Sequence, residues 1–197
     1  MPSKFNSFVL KGKEIAPFLS DLASLRIFAF HEYPYLYAGD AEYEKDYLST
    51  YAKCEDFVLL VIIDGGMVIG VTTGIPLKYE EDSFKEAFEN TEYNTDDIFY
   101  IGETILLPEY RNQGLSRLMF NKVEQEALEQ GYKILSLATV KRDENDPGCP
   151  AGYVSMDFLW QKYGYERRPD IMASLSWREV GQDFKTTHDM VFWLKQI

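Results

Sequence analysis

Cysteine and histidine are scarce in this chain, with two of each among 197 residues. Cys54 and Cys149 lie far apart without companion ligands, so they read as free thiols in a reducing compartment rather than as one disulfide. Neither His31 nor His188 has ligand-spaced partners, so no metal is expected. Positive charge is also short, with 20 Lys and Arg against 32 Asp and Glu and a net charge of −12. Nucleic acid and anionic membrane surfaces are held by Lys and Arg, and this balance excludes both as partners. No apolar run approaches the ~20 residues that span a bilayer. The longest, at 57–63, stops at Asp64, and residues 1–13 lack the apolar centre of a signal peptide. Repeats, low-complexity tracts and Gly/Ser/Pro linkers are missing as well. The expectation is one cytoplasmic acidic domain over 1–197. At that length roughly 70% of the unfolded surface can be buried without a staple.

What is present reads as alternating elements. A strand is expected at 5–10 and a helix from Ile15, with Ile15, Phe18, Leu19, Leu22 and Leu25 at helical spacing, ending before Pro34. An aromatic loop at 31–39 leads to Asp40, which can cap a helix running to about Cys54. Two β-rich runs, 57–63 and 67–73, flank Asp64-Gly65-Gly66 and predict a hairpin. An acidic helix is expected at 78–90, a strand at 98–107 and a helix at 114–130 closed by Gly131. A strand at 134–140, a helix at 155–163 and strands at 172–180 and 190–195 complete the order. Strand, helix, strand over 98–140 demands a parallel right-handed crossover, whereas the hairpins are antiparallel. The fold class is therefore α/β, a mixed sheet with helices on both faces. Trp177, Phe192 and Trp193 look exposed on the last strands and hint at a homodimer contact.

The informative segment joins the 98–107 strand to the long helix. A helix N-terminus offers unpaired N–H groups and partial positive charge to an anion. Gly114 has no Cβ to block a phosphate from the backbone of 112–116, and Arg111 adds a full charge. Neither a Walker loop nor G-x-G-x-x-G is present.

The order strand, Pro108-Glu109-Tyr110-Arg111-x-x-Gly114-x-Ser116, amphipathic helix, strand, then Phe158-Leu-Trp-Gln-Lys-Tyr-Gly-Tyr165 resembles the GNAT superfamily of acyl-CoA-dependent N-acetyltransferases. The resemblance covers nearly the whole chain. The 30–51 block and the ending at 190–195 look like a particular bacterial branch. It implies a mostly antiparallel twisted sheet with a splayed parallel pair. It implies acetyl-CoA as acyl donor, its diphosphate on Arg111, Asn112, Gln113, Gly114, Leu115 and Ser116. The pantetheine arm would lie along Ile105, Leu106 and Leu107 as an added strand, with a backbone N–H near Leu106 or Leu107 polarising the carbonyl. A free primary amine of a small molecule or peptide would attack the thioester directly, without a metal.

Two positions depart from the family pattern. Ser116 stands where Gly or Ala is usual, and Ser is small enough to serve. Trp160 stands where a Tyr usually protonates the departing thiolate, which indole cannot do; Tyr163 and Tyr153 are the substitutes at hand, and neither aligns with that position. A thiol of reference pKa about 8.5 is nevertheless a fair leaving group. Glu103 sits on the 98–107 strand, where alternation would place it with Ile101, Ile105 and Leu107. Among apolar neighbours its pKa would rise, as suits a general base, and an acid at this place is the base in several branches of the superfamily. The competing reading is a carboxylate paired with a nearby Lys or Arg. By resemblance, His31, Tyr33, Tyr35 and Tyr37 would line the acceptor side; otherwise their rings pack helix on sheet. The acidic runs 80–82, 96–97 and 143–144 read as solvated faces, with attraction of a cationic acceptor as the alternative. Two other functions stay open: a non-catalytic acyl-CoA-binding sensor or regulatory module, and a nucleotide-binding domain.

Overall fold

The runs around Asp64-Gly65-Gly66 form the hairpin β2 (Val58–Asp64) and β3 (Met67–Pro76), with Gly65 and Gly66 both at positive φ in its turn. The computed structural model describes residues 5–143 and 145–197, apart from the Thr50 side chain; Glu144 of the third acidic run and residues 1–4 lie outside the described residues. β1 (Asn6–Lys11) pairs with β2, and β4 (Ile98–Tyr100) pairs with both β3 and β6 (Ile134–Val140). β8 (Lys185–Gln196) lies between β6 and β7 (Glu166–Arg178), giving an 8-stranded sheet of order β1-β2-β3-β4-β6-β8-β7 with β5 (Thr104–Leu106) on β3. Only β4 and β6 pair in parallel among the described strands, as the crossover requires.

Helices cover both faces. On one lie α1 (Leu19–Phe30), α2 (Ala41–Tyr51) and the short α3 (Asp82–Glu86); Leu22, Leu25, Leu48 and Phe84 bury there against Leu59, Val61, Tyr100 and Ile105. On the other lie α4 (Leu115–Glu129) and α5 (Asp157–Lys162), where Met119, Phe120 and Val123 meet Leu60, Phe99 and Trp193. Asp40 caps α2, its Oδ1 accepting from the N–H groups of Glu42 and Tyr43 at 2.9 Å.

Several boundaries differ from expectation. Residues 12–18 wind as a 3₁₀ turn around Pro17, so α1 starts later than Ile15. The acidic helix shrinks to α3, although Phe84 and Phe88 do point inward. β7 and β8 are longer than the apolar runs that announced them, because their distal halves alternate with exposed residues. Phe192 and Trp193 are fully buried on opposite faces of the sheet, and Trp177 stacks on His188 at 4.0 Å. Those rings pack within the chain, which removes the basis for a dimer contact.

The 98–107 strand is broken. Ile101 N–H makes the last bond to β6, donating to Ser136 O at 2.7 Å. Ile101 then belongs to the α4 side and Ile105 to the α1 side, so the alternation slips by one residue between them. Gly102 permits the slip: a Cβ there would stand 2.9 Å from Thr73 Oγ1. Glu103 consequently shares a face with Tyr100 and Ile105 but not with Ile101.

Candidate active site

Beyond Tyr100, β5 follows β3 and leaves β6, which opens a cleft between the two. Thr73 N–H donates to Glu103 O and Leu107 N–H to Ile69 O, so 103, 105 and 107 are the residues bonded to β3. The backbone groups of Thr104 and Leu106 therefore point the other way, into the cleft. At the far end of the cleft the chain turns through Asn112 at φ 60° and Gly114 at φ 80° into α4. Both adopt the left-handed region, and open space surrounds the place where a Cβ on Gly114 would stand. Arg111 Nε donates to Leu106 O at 3.2 Å, which ties the turn to the strand. The first N–H groups of this 15-residue helix face the exposed turn, a site for an anion.

On the other face of β5 lies a cavity of about 410 Å³ between α1, α2, β4 and β7. Arg26 of α1 sits in its wall, its side chain 11% exposed, paired with two buried carboxylates. Its Nε donates to Glu44 Oε2 at 2.5 Å and a second guanidinium nitrogen pairs with Glu103 Oε1. Burial disfavours the Arg26 charge, yet Tyr47 and Glu44 hold its pKa above the ordinary value. Glu103 Oε2 accepts from Thr73 Oγ1, whose oxygen accepts in turn from Glu103 N–H at 2.9 Å. The apolar setting expected for Glu103 is thus a charged one, and the carboxylate is held at both oxygens. Glu80 also lines the cavity: it is buried rather than solvated, Tyr51 OH donates to it at 2.8 Å, and burial pushes its pKa up.

The aromatic loop closes one side. Arg142 holds it, donating from Nε to Pro34 O at 2.7 Å and from a terminal nitrogen to Tyr35 O at 3.2 Å. Trp177 Nε1 donates to Tyr35 O at 2.9 Å, and burial pushes the Tyr35 phenol up to about 12.

A family model described as the acetyltransferase (GNAT) family matches residues 22–151, two-thirds of the chain. The chain belongs to that family. Solved structures share the fold of this GNAT protein. A ribosomal-protein-alanine N-acetyltransferase from Brucella melitensis is 18% identical with TM-score 0.59, covering 96% of this chain and 99% of its own. An N-acetyltransferase from Staphylococcus aureus is 13% identical with TM-score 0.59, covering 97% and 98%. A GNAT acetyltransferase from Elizabethkingia anophelis with acetyl-CoA bound is 15% identical with TM-score 0.54, covering 99% of each chain. No relative is found among curated protein sequences.

Within the GNAT framework the candidate residues fall into separate places. Arg111, Asn112, Gln113 and Gly114 form the exposed turn, followed by Leu115, buried at the base of α4, and Ser116. Ser116 Oγ and Tyr163 OH are hydrogen-bonded at 3.0 Å. Leu106 presents its backbone to the cleft, whereas Ile105 and Leu107 bond to β3. Tyr35 and Tyr37 line the cavity; His31 and Tyr33 do not. Tyr33 stacks edge-on against Tyr153 at 4.7 Å instead. Trp160 packs on Phe120 at 5.3 Å, with its Nε1 enclosed and without a hydrogen-bond partner. Sequence reasoning missed Arg26, Glu44 and Thr104. The signal for the first two was available, since Arg26 falls on the Leu22 stripe of α1 and Glu44 on the Leu48 stripe of α2, where charges are out of place.

Proposed function

We propose that this protein is an N-acetyltransferase that moves the acetyl group of acetyl-CoA to a primary amine of a small molecule or peptide. Transfer proceeds by direct attack in a complex holding both, within one cytoplasmic domain over 1–197. One juxtaposition carries the reading: the cleft faced by Thr104 and Leu106 ends at the Gly114 turn, and the cavity opens beside Glu103 of the same stretch of backbone.

The turn fits the coenzyme, because Gly114 leaves room that a Cβ would fill. Bound acetyl-CoA would supply an activated acyl thioester. The N–H groups of 112–116 and the Arg111 guanidinium would hold its diphosphate. Leu106 would hold the arm by strand-like pairing, and the cleft-facing N–H of Thr104 or Leu106 is the donor able to polarise an acyl oxygen. Leu107 N–H is already bonded to Ile69. Glu103 keeps free lone pairs beyond its bonds to Arg26 and Thr73, and it takes the proton of the ammonium directly or through water.

Acetyl-CoA at micromolar concentration is expected to raise the Tm of the wild-type protein in a thermal shift assay, and Gly114→Trp to abolish the rise. A Cβ at 114 meets no atom within 4 Å, and the left-handed backbone adds a strain of about 1–2 kcal/mol. A rise that survives in G114W means the cradle is elsewhere.

Trp160 favours a second reading, an acyl-CoA-binding sensor without turnover, because an indole stands where a phenol would protonate the leaving thiolate. Trp160→Tyr separates the two in a thiol-release assay with a panel of amines. A transferase releases thiol in the wild type and gains about tenfold in W160Y, a small return for restoring a general acid. Release from W160Y alone assigns the native chain to the sensor class.

A further inference from the structure

The inner wall of the cavity is short of positive charge. Glu44, Glu80 and Glu103 are buried there against the guanidinium of Arg26. At the mouth Asp40 and Glu81 face Arg178 and Lys185, all four exposed, so the rim is balanced. Burial pushes the pKa of Glu80 up, against the Tyr51 hydrogen bond that favours its carboxylate form, and no ion pair to Glu80 is found among the described residues. Arg26 is then left to compensate two carboxylates, Glu44 and Glu103. One buried negative charge has no counterpart, and a buried charge calls for a partner.

The excess has an address. Glu44 is 0% exposed, its Oε2 is bonded to Arg26, and the Tyr37 phenol, a neutral donor, hydrogen-bonds the same carboxylate, so Arg26 is the cation paired with it among the described residues. The Tyr37 phenol interacts with this carboxylate but cannot neutralise it: burial first, and Glu44 next, push that phenol up and keep it protonated. Tyr43, on the same helix, is raised by the same causes, with Glu81 adding to them. The group that completes this wall must therefore bring a positive charge and N–H donors, and must tolerate aromatic neighbours.

We propose that the Glu44 end of the cavity is a cation subsite and that the acceptor is a diamine or polyamine. One nitrogen reacts beside Glu103 while a second stays protonated against the Glu44 wall and its aromatic neighbours. The reacting nitrogen cannot fill both places, because it must lose its proton before it can attack. An acceptor carrying a carboxylate in place of the second ammonium would set two anions together in a low-dielectric wall, so amino acids are discriminated against. This inference deepens the transferase reading and rests on it for the reacting nitrogen, but its test needs no turnover.

The test is calorimetric titration of the wild-type protein with 1,4-diaminobutane, n-butylamine and 4-aminobutanoate, with coenzyme A titrated separately. The diamine is expected to bind about tenfold or more tighter than the monoamine, as one charge-assisted hydrogen bond provides, and the aminocarboxylate most weakly. Added salt should narrow the gap. Glu44→Gln should bring the diamine to the level of the monoamine while coenzyme A binding persists. Equal binding of diamine and monoamine by the wild type overturns the proposal, and so does tightest binding of 4-aminobutanoate; neither result depends on how well E44Q folds. Loss of coenzyme A binding beside an intact diamine preference overturns the transferase reading alone.

Discussion

Arg26→Met is expected to lower the free energy of unfolding by about 3–5 kcal/mol, the usual cost of removing one partner from a buried ion-paired group. The substitution keeps most of the aliphatic volume, so the loss reports charge and not a cavity. Glu44 and Glu103, 0% and 4% exposed, would then face each other with no cation between them. Urea denaturation at neutral pH measures the loss. Two further results follow from the same cause. The loss should shrink as pH falls, because a buried carboxylate that takes up a proton no longer needs the guanidinium. Adding Glu44→Gln to R26M should restore part of the stability, because one of the two stranded charges is gone. A loss below about 1 kcal/mol would mean that water reaches the triad and that its charges are screened like a surface pair.

The same triad shows where sequence reading reached its limit. The hairpin at Asp64-Gly65-Gly66, β6 and α4 were legible because local chemistry determines them: turn glycines, a continuous apolar run, and a stripe ended by Gly131. The left-handed turn into α4 was legible for the same reason, since Arg111, Gly114 and the helix start are contiguous. The cavity was legible only in part, through Tyr35, Tyr37 and Glu103. Its parts come from α1, α2, the turn after β3, and β7, and no single window holds more than one of them. Glu80 looked solvated because it stands in an acidic run, yet only its neighbours Glu81 and Asp82 remain exposed. The slip at Gly102 was hidden too. A glycine in an apolar strand does not announce a bulge until the register puts Thr73 against it. Phe192 and Trp193 misled for a related reason: β8 is central and covered on both faces, so a polar alternation in its distal half said nothing about the ending.

That slip also decides the second large effect. Without it Glu103 would point toward α4, away from the cavity; with it the carboxylate enters the cavity wall beside the backbone that faces the cleft between β5 and β6. Glu103→Gln keeps the shape of the side chain, its amide oxygen can still accept from Arg26 and its NH2 can donate to Thr73 Oγ1, but it cannot take a proton. With spermidine as acceptor, kcat/KM is expected to fall about 10²–10⁴-fold, the range for losing a general base. The acid limb of the pH profile should flatten, since the group whose deprotonation it follows has been removed. KM for acetyl-CoA should stay within about threefold, because the cradle proposed at Arg111–Ser116 is untouched. A merely structural Glu103 would behave otherwise, with a lowered Tm, an unchanged acid limb and a loss confined to KM, so that kcat at saturating amine is kept. The two roles of the residue are therefore separable: its bond to Arg26 is read by urea, and its proton by the pH profile.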